Sequence, residues 1–162
     1  MSKKTKKSIL QWILIIAIIF GARSWQQQNL LSEEAPIFSS NTLTGEIISS
    51  AGKDPVLVHF WATWCGVCSV ENSNIQSIGK NYKVLNIAMQ SGTDAEIIKY
   101  ANKNNMQLGN IINDNSGSLA RIFGVSATPS SFVIFENQIK FIEVGYTTTW
   151  GLKLRLWLSK WL

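Results

Sequence analysis

The stretch that most constrains this chain is Pro-Val-Leu-Val-His-Phe-Trp-Ala-Thr-Trp-Cys-Gly-Val-Cys-Ser, residues 55–69. Residues 56–62 are apolar except for His59, the pattern of a strand buried on both faces at the centre of a parallel or mixed sheet. Two residues later come Cys65-Gly66-Val67-Cys68, followed by polar residues at helical spacing. A cysteine at such a strand-to-helix junction meets unpaired N–H groups and the positive end of the helix dipole. Its thiolate is stabilised there, so it can attack disulfides near neutral pH. The second cysteine sits one turn further on and can close a disulfide with the first.

Only two cysteines occur in the 162 residues, and they are this pair. No other disulfide can form. A tetrahedral zinc site would need further ligands, and His59 is the single histidine, so no structural metal is expected. The pattern implies no cofactor.

The rest of the chain alternates helix and strand signals. Residues 37–49 read as a small hairpin around Thr44-Gly45. After the central strand, residues 68–80 read as a helix with Val70, Ile75 and Ile78 as its apolar positions. Residues 84–89 read as a strand, and residues 94–103 as a helix capped by Thr93. A short strand at 108–112 and a short helix at 116–123 follow, the helix ending at Gly124. Residues 131–135 and 139–144 form a second hairpin. The last segment, 150–162, carries Trp150, Leu154, Trp157, Leu158 and Trp161 at helical spacing. They are expected in the core, with a membrane-surface role as the alternative. The order β-α-β-α-β-α-β-β-α defines a three-layer α/β/α sandwich with a mixed central sheet.

The run Phe60-Trp61-Ala62-Thr63-Trp64-Cys65-Gly66-Val67-Cys68 resembles the signature of the thioredoxin superfamily, an apolar strand leading into F-W-A-x-W-C-x-x-C. The layout implies that fold with an extra helix and strand after residues 84–89. It is similar to the membrane-anchored branch grouped with cytochrome-c maturation reductases. Within that branch the Cys-x-Val-Cys motif, Ser91-Gly92-Thr93-Asp94-Ala95 and the terminal helix most resemble the suppressor of copper sensitivity D proteins. The resemblance implies Cys65 as nucleophile and Cys68 as resolving thiol. Gly124-Val125-Ser126-Ala127-Thr128-Pro129 is similar to the family's second signature. It implies a cis Pro129 packed against the disulfide, with Thr128 offering its backbone to an extended substrate. Trp64 is implied as a shield beside the thiol.

Two further residues have competing readings. His59 stands where thioredoxins keep a buried aspartate. It is either a core histidine satisfied by a backbone group or a proton acceptor for Cys68, fitted to that by an imidazole that titrates near neutrality. Glu71, three residues past Cys68, shares its side of the helix. It is either a solvated surface group or a support for the cysteines, since tethered relatives often carry glutamate at this spacing.

The chain has 15 basic and 10 acidic residues. Lys3, Lys4, Lys6, Lys7 and Arg23 carry the excess; from residue 24 onward the charges balance. A nucleic-acid footprint is therefore not expected. Residues 8–22 hold no charge. They are short for a spanning helix and fit the core of a cleaved export signal. Lys7 and Arg23 can snorkel to lengthen the span, with Trp12 and Trp25 near the two interfaces. A retained anchor is the expectation: residues 1–24 as cytoplasmic tip and anchor, 25–36 as tether, and 37–162 as a periplasmic domain on a single-pass protein of the inner membrane. The lipid bilayer, exported proteins with disulfides and a membrane electron donor are the partners this implies. The function is thiol–disulfide exchange, as a reductant. A Cu(I)-binding module using the same two thiolates is the alternative, and a peroxidase built on Cys65 ranks third, because no threonine-rich peroxidatic pocket is visible.

Overall fold

The computed structural model describes residues 34–162. The lysine-rich tip, the apolar run and most of the tether lie outside the described residues. Among the described residues, no helix is long and apolar enough to cross a membrane.

The chain opens with β1 (Ser39–Asn41) and β2 (Ile47–Ser49), an antiparallel pair forming its own small sheet. The main sheet has five strands. β3 (Val56–Trp61) is central, flanked on one side by β4 (Lys83–Met89) and β5 (Ile111–Asp114), and on the other by β6 (Ser130–Phe135) and β7 (Gln138–Val144). β3 runs parallel to β4 and antiparallel to β6, so the sheet is mixed as expected. Every residue of β3 is buried, which accounts for its unbroken apolar run.

The helices are α1 (Gly66–Gly79), α2 (Asp94–Lys103), α3 (Ser118–Ile122) and α4 (Thr149–Leu158). On one face of the sheet Leu57, Val84 and Val133 pack against Ile75 and Ile78 of α1 and Leu152 and Leu156 of α4. On the same face Trp61 and Ala88 meet Ile97 and Ala101 of α2. On the other face Val58, Phe60, Leu85, Ile87 and Phe132 pack against Ala120 and Phe123, with Phe38 and Ile48 of the first hairpin alongside. That second layer is thus one short helix completed by the hairpin.

Local chemistry sets the boundaries. Thr93 and Glu96 form a capping box at the start of α2. Asp114, buried at the end of β5, accepts hydrogen bonds from the Leu119 and Ala120 N–H groups and the Ser118 hydroxyl, fixing the start of α3. The β6–β7 connection is tight because Glu136 and Asn137 both adopt positive φ, at 51° and 61°, the twist that suits a two-residue hairpin. Residues 108–110, expected in a strand, form a 3-10 turn, and β5 begins at Ile111.

Two core assignments are corrected. Val70 is 66% exposed; Cys68 and Glu71 are buried on α1 instead, beside Ile75 and Ile78. The terminal tryptophans are not core either. Trp150, Leu154, Trp157 and Trp161 are all more than half exposed, while Leu152, Leu156 and Ser159 form the buried stripe. Both stripes have helical period, so hydropathy alone does not say which one faces the sheet. The packing against α1 selects the slimmer leucines.

Candidate functional site

Cys65 closes the loop after β3 and is the N-cap of α1, with extended backbone. Its Sγ accepts the Cys68 N–H at 3.1 Å, a bond that stabilises negative charge on this sulfur once the disulfide is opened. The two cysteines are joined, with Cα atoms 5.3 Å apart. Both sulfurs lie in a largely buried setting, Cys65 at 8% exposure and Cys68 at 4%.

The Thr128–Pro129 peptide is cis, as the resemblance implied. The Thr128 carbonyl oxygen lies 3.6 Å from Cys65 Sγ. With the sulfur oxidised this is a contact without a proton; in the dithiol form it is a donor–acceptor pair. Thr128 Oγ1 is buried and unpartnered by protein atoms. Thr128 and Pro129 therefore form the wall facing the nucleophile side of the disulfide.

Trp64 is 64% exposed beside the disulfide. Its indole N–H donates to the Gln90 carbonyl at 3.1 Å, which pins the ring. Thr63 N–H donates to Ser91 Oγ at 3.1 Å. The Gln90-Ser91 turn after β4 thus braces the cysteine loop from the side. Gln90 did not stand out in the sequence, and Ser91 did so only within the resembling tract 91–95, because their contacts with the cysteine loop come from a segment remote in the chain.

Beneath the disulfide a polar row crosses the sheet. Ser131 of β6, His59 of β3 and Asn86 of β4 stand in register. All are under 5% exposed. His59 Nδ1 pairs with Ser131 Oγ at 2.9 Å, so the histidine is satisfied by a neighbouring side chain rather than by backbone. Burial pulls its pKa down to about 3. This corrects the expectation that it titrates near neutrality: a cation in this dry setting lacks a counter-charge, so the imidazole stays neutral. His59, Trp61, Cys68, Asn72 and Asn86 line a cavity of about 10 Å³, roughly the space of one water molecule. Trp61 Nε1, Asn72 Oδ1 and Asn86 Oδ1 have no protein partner.

Glu71 is fully buried. One carboxylate oxygen accepts the Thr147 N–H at 2.8 Å, and the other has no protein partner. Burial pushes its pKa up to about 7, against the opposing pull of the Thr147 bond. The solvated-surface reading of Glu71 is therefore wrong. It sits between α1 and the loop entering α4, where the packing that orders α4 excludes water from the carboxylate. One turn from Cys68, it is a group poised to exchange a proton near neutral pH.

Among the described residues no three His, Cys, Asp or Glu side chains converge as a metal site would require. The arrangement is a dithiol–disulfide centre at a helix N-terminus, flanked by a cis-proline wall and backed by a buried acid. Fold and site together define a thioredoxin-like thiol–disulfide oxidoreductase.

The chain belongs to the AhpC/TSA family, which it matches over residues 31–142. It is 29% identical over 162 residues to a thioredoxin-like protein of Haemophilus influenzae, covering 98% of this chain and 96% of that one. It is 25% identical to sporulation thiol-disulfide oxidoreductase A of Bacillus subtilis, covering 92% and 96%. The crystal structure of StoA from Bacillus subtilis superposes with a TM-score of 0.67 at 23% identity, covering 74% of this chain and 96% of that one. A secreted disulfide oxidoreductase of Mycobacterium tuberculosis gives a TM-score of 0.62 at 20% identity, covering 74% and 93%.

Proposed function

We propose that this protein is an exported, membrane-tethered reductant of disulfides in partner proteins, working through Cys65 and Cys68. The observation that carries the reading is Cys65 at the N-cap of α1, with the Cys68 N–H on its sulfur and the Thr128 carbonyl beside it. In the reduced protein the Cys65 thiolate attacks one sulfur of a partner disulfide. A mixed disulfide forms and the partner's other sulfur leaves as a thiolate, which takes up a proton. Cys68 then gives up its proton, with Glu71 as acceptor, and attacks Cys65 Sγ. The partner's second thiolate leaves and is protonated. The partner gains two electrons and two protons, and Cys65–Cys68 becomes the disulfide. A membrane protein carrying a dithiol restores the reduced pair by the reverse exchange.

Thr128 and Pro129 serve as the wall on which an extended partner segment lies, with Trp64 on its other side. His59, neutral and tied to Ser131, holds the polar floor in place. Residues 8–24 anchor the chain in the bilayer with the domain on the periplasmic face of the inner membrane; the secreted relative described above supports an exported site of action. Peroxide reduction is the weaker reading for this member of the family.

The test is redox titration of the full chain in glutathione buffers, followed by partner trapping with Cys68→Ser. A disulfide that forms and is turned over at catalytic amounts supports the reading. The resemblance to copper-sensitivity suppressors keeps Cu(I) binding by the two thiolates as the competing one. Stoichiometric copper uptake without turnover would establish that reading instead.

A further inference from the structure

The apolar stripe that faces away from the core on α4 and the turn that follows it has its own geometry. Trp150, Leu154, Trp157 and Trp161 follow one another at intervals of four, three and four residues, and their exposures are 81%, 55%, 53% and 74%. The rings of Trp157 and Trp161 pack together with centroids 6.2 Å apart. Lys153 Nζ lies 5.9 Å from the Trp150 ring centroid. The stripe borders a shallow groove shared with Asn81 and Tyr82, just beyond the end of α1. A second groove at that end of the sheet gathers Lys53, Lys83 and Lys160 against a single acid, Asp54. From Thr149 to the last residue the segment has Lys153, Arg155 and Lys160 and no acidic side chain, although the charges balance over the chain from residue 24 onward. Broad aromatic faces rimmed by lysine are the composition of a surface that lies in a lipid headgroup layer.

The position of the stripe agrees with its composition. α1 carries the disulfide at its N-terminus and reaches Asn81 and Tyr82 at its other end, ~20 Å away for a helix of this length. The chain preceding the domain arrives at that far end. Glu34 pairs with Gln138, and Ala35 N–H donates to the Asn137 carbonyl, in the β6–β7 turn. Ile134, just before that turn, is opposite Val56 at the start of β3. Glu34 and Ala35, the lysine cluster and the Trp157–Trp161 pair therefore share the pole opposite Cys65.

We propose that the exposed face formed by Trp150, Leu154 and Trp157 of α4 and Trp161 just beyond it, with Lys153, Lys160, Lys53 and Lys83 around it, rests on the anionic headgroup layer of the membrane in which the chain is anchored. The domain then stands with its far pole on the bilayer and Cys65, Trp64 and Pro129 turned outward. The inference rests on the anchored reading for bringing the domain to the membrane, and on the described surface for its orientation. The aromatic rings sit at the interface, and the lysines meet lipid phosphates that the rest of the domain, with six basic and eight acidic residues over 37–162, does not attract.

The test uses the full chain labelled with 5-fluorotryptophan in nanodiscs of phosphatidylcholine and phosphatidylglycerol carrying a headgroup spin label. Each fluorine resonance is assigned by a single Trp→Phe substitution. Trp157 and Trp161 are expected to lose most of their intensity and Trp64, at the opposite pole, to keep it. Removing phosphatidylglycerol, or the double change Lys153→Glu and Lys160→Glu, should restore the lost signals. The inference is overturned if Trp64 is quenched as strongly as Trp157, or if none of these resonances responds. It is equally overturned if Trp157 and Trp161 shift in the same way in lipid-free detergent, because a second copy or the chain's own residues 8–22 then cover the stripe. Carbonate extraction of vesicles made of the same lipids and carrying the full chain separates the two readings. A chain that is washed out has no anchor, and orientation fails with it; a chain that stays without the quenching pattern refutes the orientation alone.

Discussion

The two faces of the central three strands make different use of burial. On one face Val58, Phe60, Leu85, Ile87 and Phe132 meet Phe123 in an aromatic cluster; the Phe123 ring lies 5.3 Å from Phe60 and 5.0 Å from Phe132. On the other, beneath the disulfide, the same strands present Ser131, His59 and Asn86, with Glu71 buried above on α1. The first face gains from every area removed from water. The second carries the desolvation cost of polar groups, two of them with oxygens that no protein donor reaches. The second face also buries Leu57, Val84 and Val133 against α1 and α4, and Trp61 and Ala88 against α2, so apolar packing around the polar pocket offsets its cost. That pocket is where proton chemistry at the cysteines becomes possible.

The comparison can be broken at its sharpest point first. Cys65→Ser should abolish disulfide reductase activity, and Cys68→Ser should accumulate a stable mixed disulfide with the partner. Alkylation of the reduced protein should modify Cys65 first; preferential labelling of Cys68 would reverse the roles assigned here. On the apolar face, Phe60→Ala should cost about 3–5 kcal/mol in denaturant unfolding. The redox potential of the molecules that remain folded should hold. A large shift in potential would mean that the two faces are not separable.

The polar face makes two predictions of opposite sign. The folded-state pKa of His59, about 3, lies below its ordinary value of 6.5. The unfolded chain therefore binds the extra proton first, and stability is lost as pH falls from about 6.5 toward 3. His59→Asn should remove that loss, a relative gain on the order of 2–3 kcal/mol at pH 4. It should leave the rate–pH profile between pH 6 and 9 unchanged; a displaced profile would restore His59 as a titrating base. The folded-state pKa of Glu71, about 7, lies above its ordinary 4.5. Its contribution is fully present below pH 4.5 and is lost as pH rises through 7. Glu71→Gln keeps an acceptor for the Thr147 N–H, so at pH 8 it should be more stable than the parent by on the order of 1–3 kcal/mol. The same variant should resolve mixed disulfides roughly 10-fold more slowly or worse, and should lose the rise in rate around pH 7. Stopped-flow resolution kinetics across pH would check it; an unaltered profile removes Glu71 from the proton path.

Much of this was written in the local sequence. The apolar run into Trp64-Cys65-Gly66-Val67-Cys68 sets a buried strand, a turn and a helix start within fifteen residues, because each of those signals is short-range. The element order β-α-β-α-β-α-β-β-α follows from local periodicity in the same way, and Thr93 and Gly124 mark helix ends through their own backbone and side-chain chemistry. Tertiary structure decided what depends on neighbours that are far apart in the chain. Ser131 meets His59 across 72 positions and Thr147 meets Glu71 across 76; the burial that comes with this packing moves one pKa to about 3 and, against the pull of the Thr147 bond, the other to about 7. Tertiary structure also chose between the two apolar stripes of α4. Periodicity shows that a helix has faces; only the shape of the surface it packs on settles which of them is left outside.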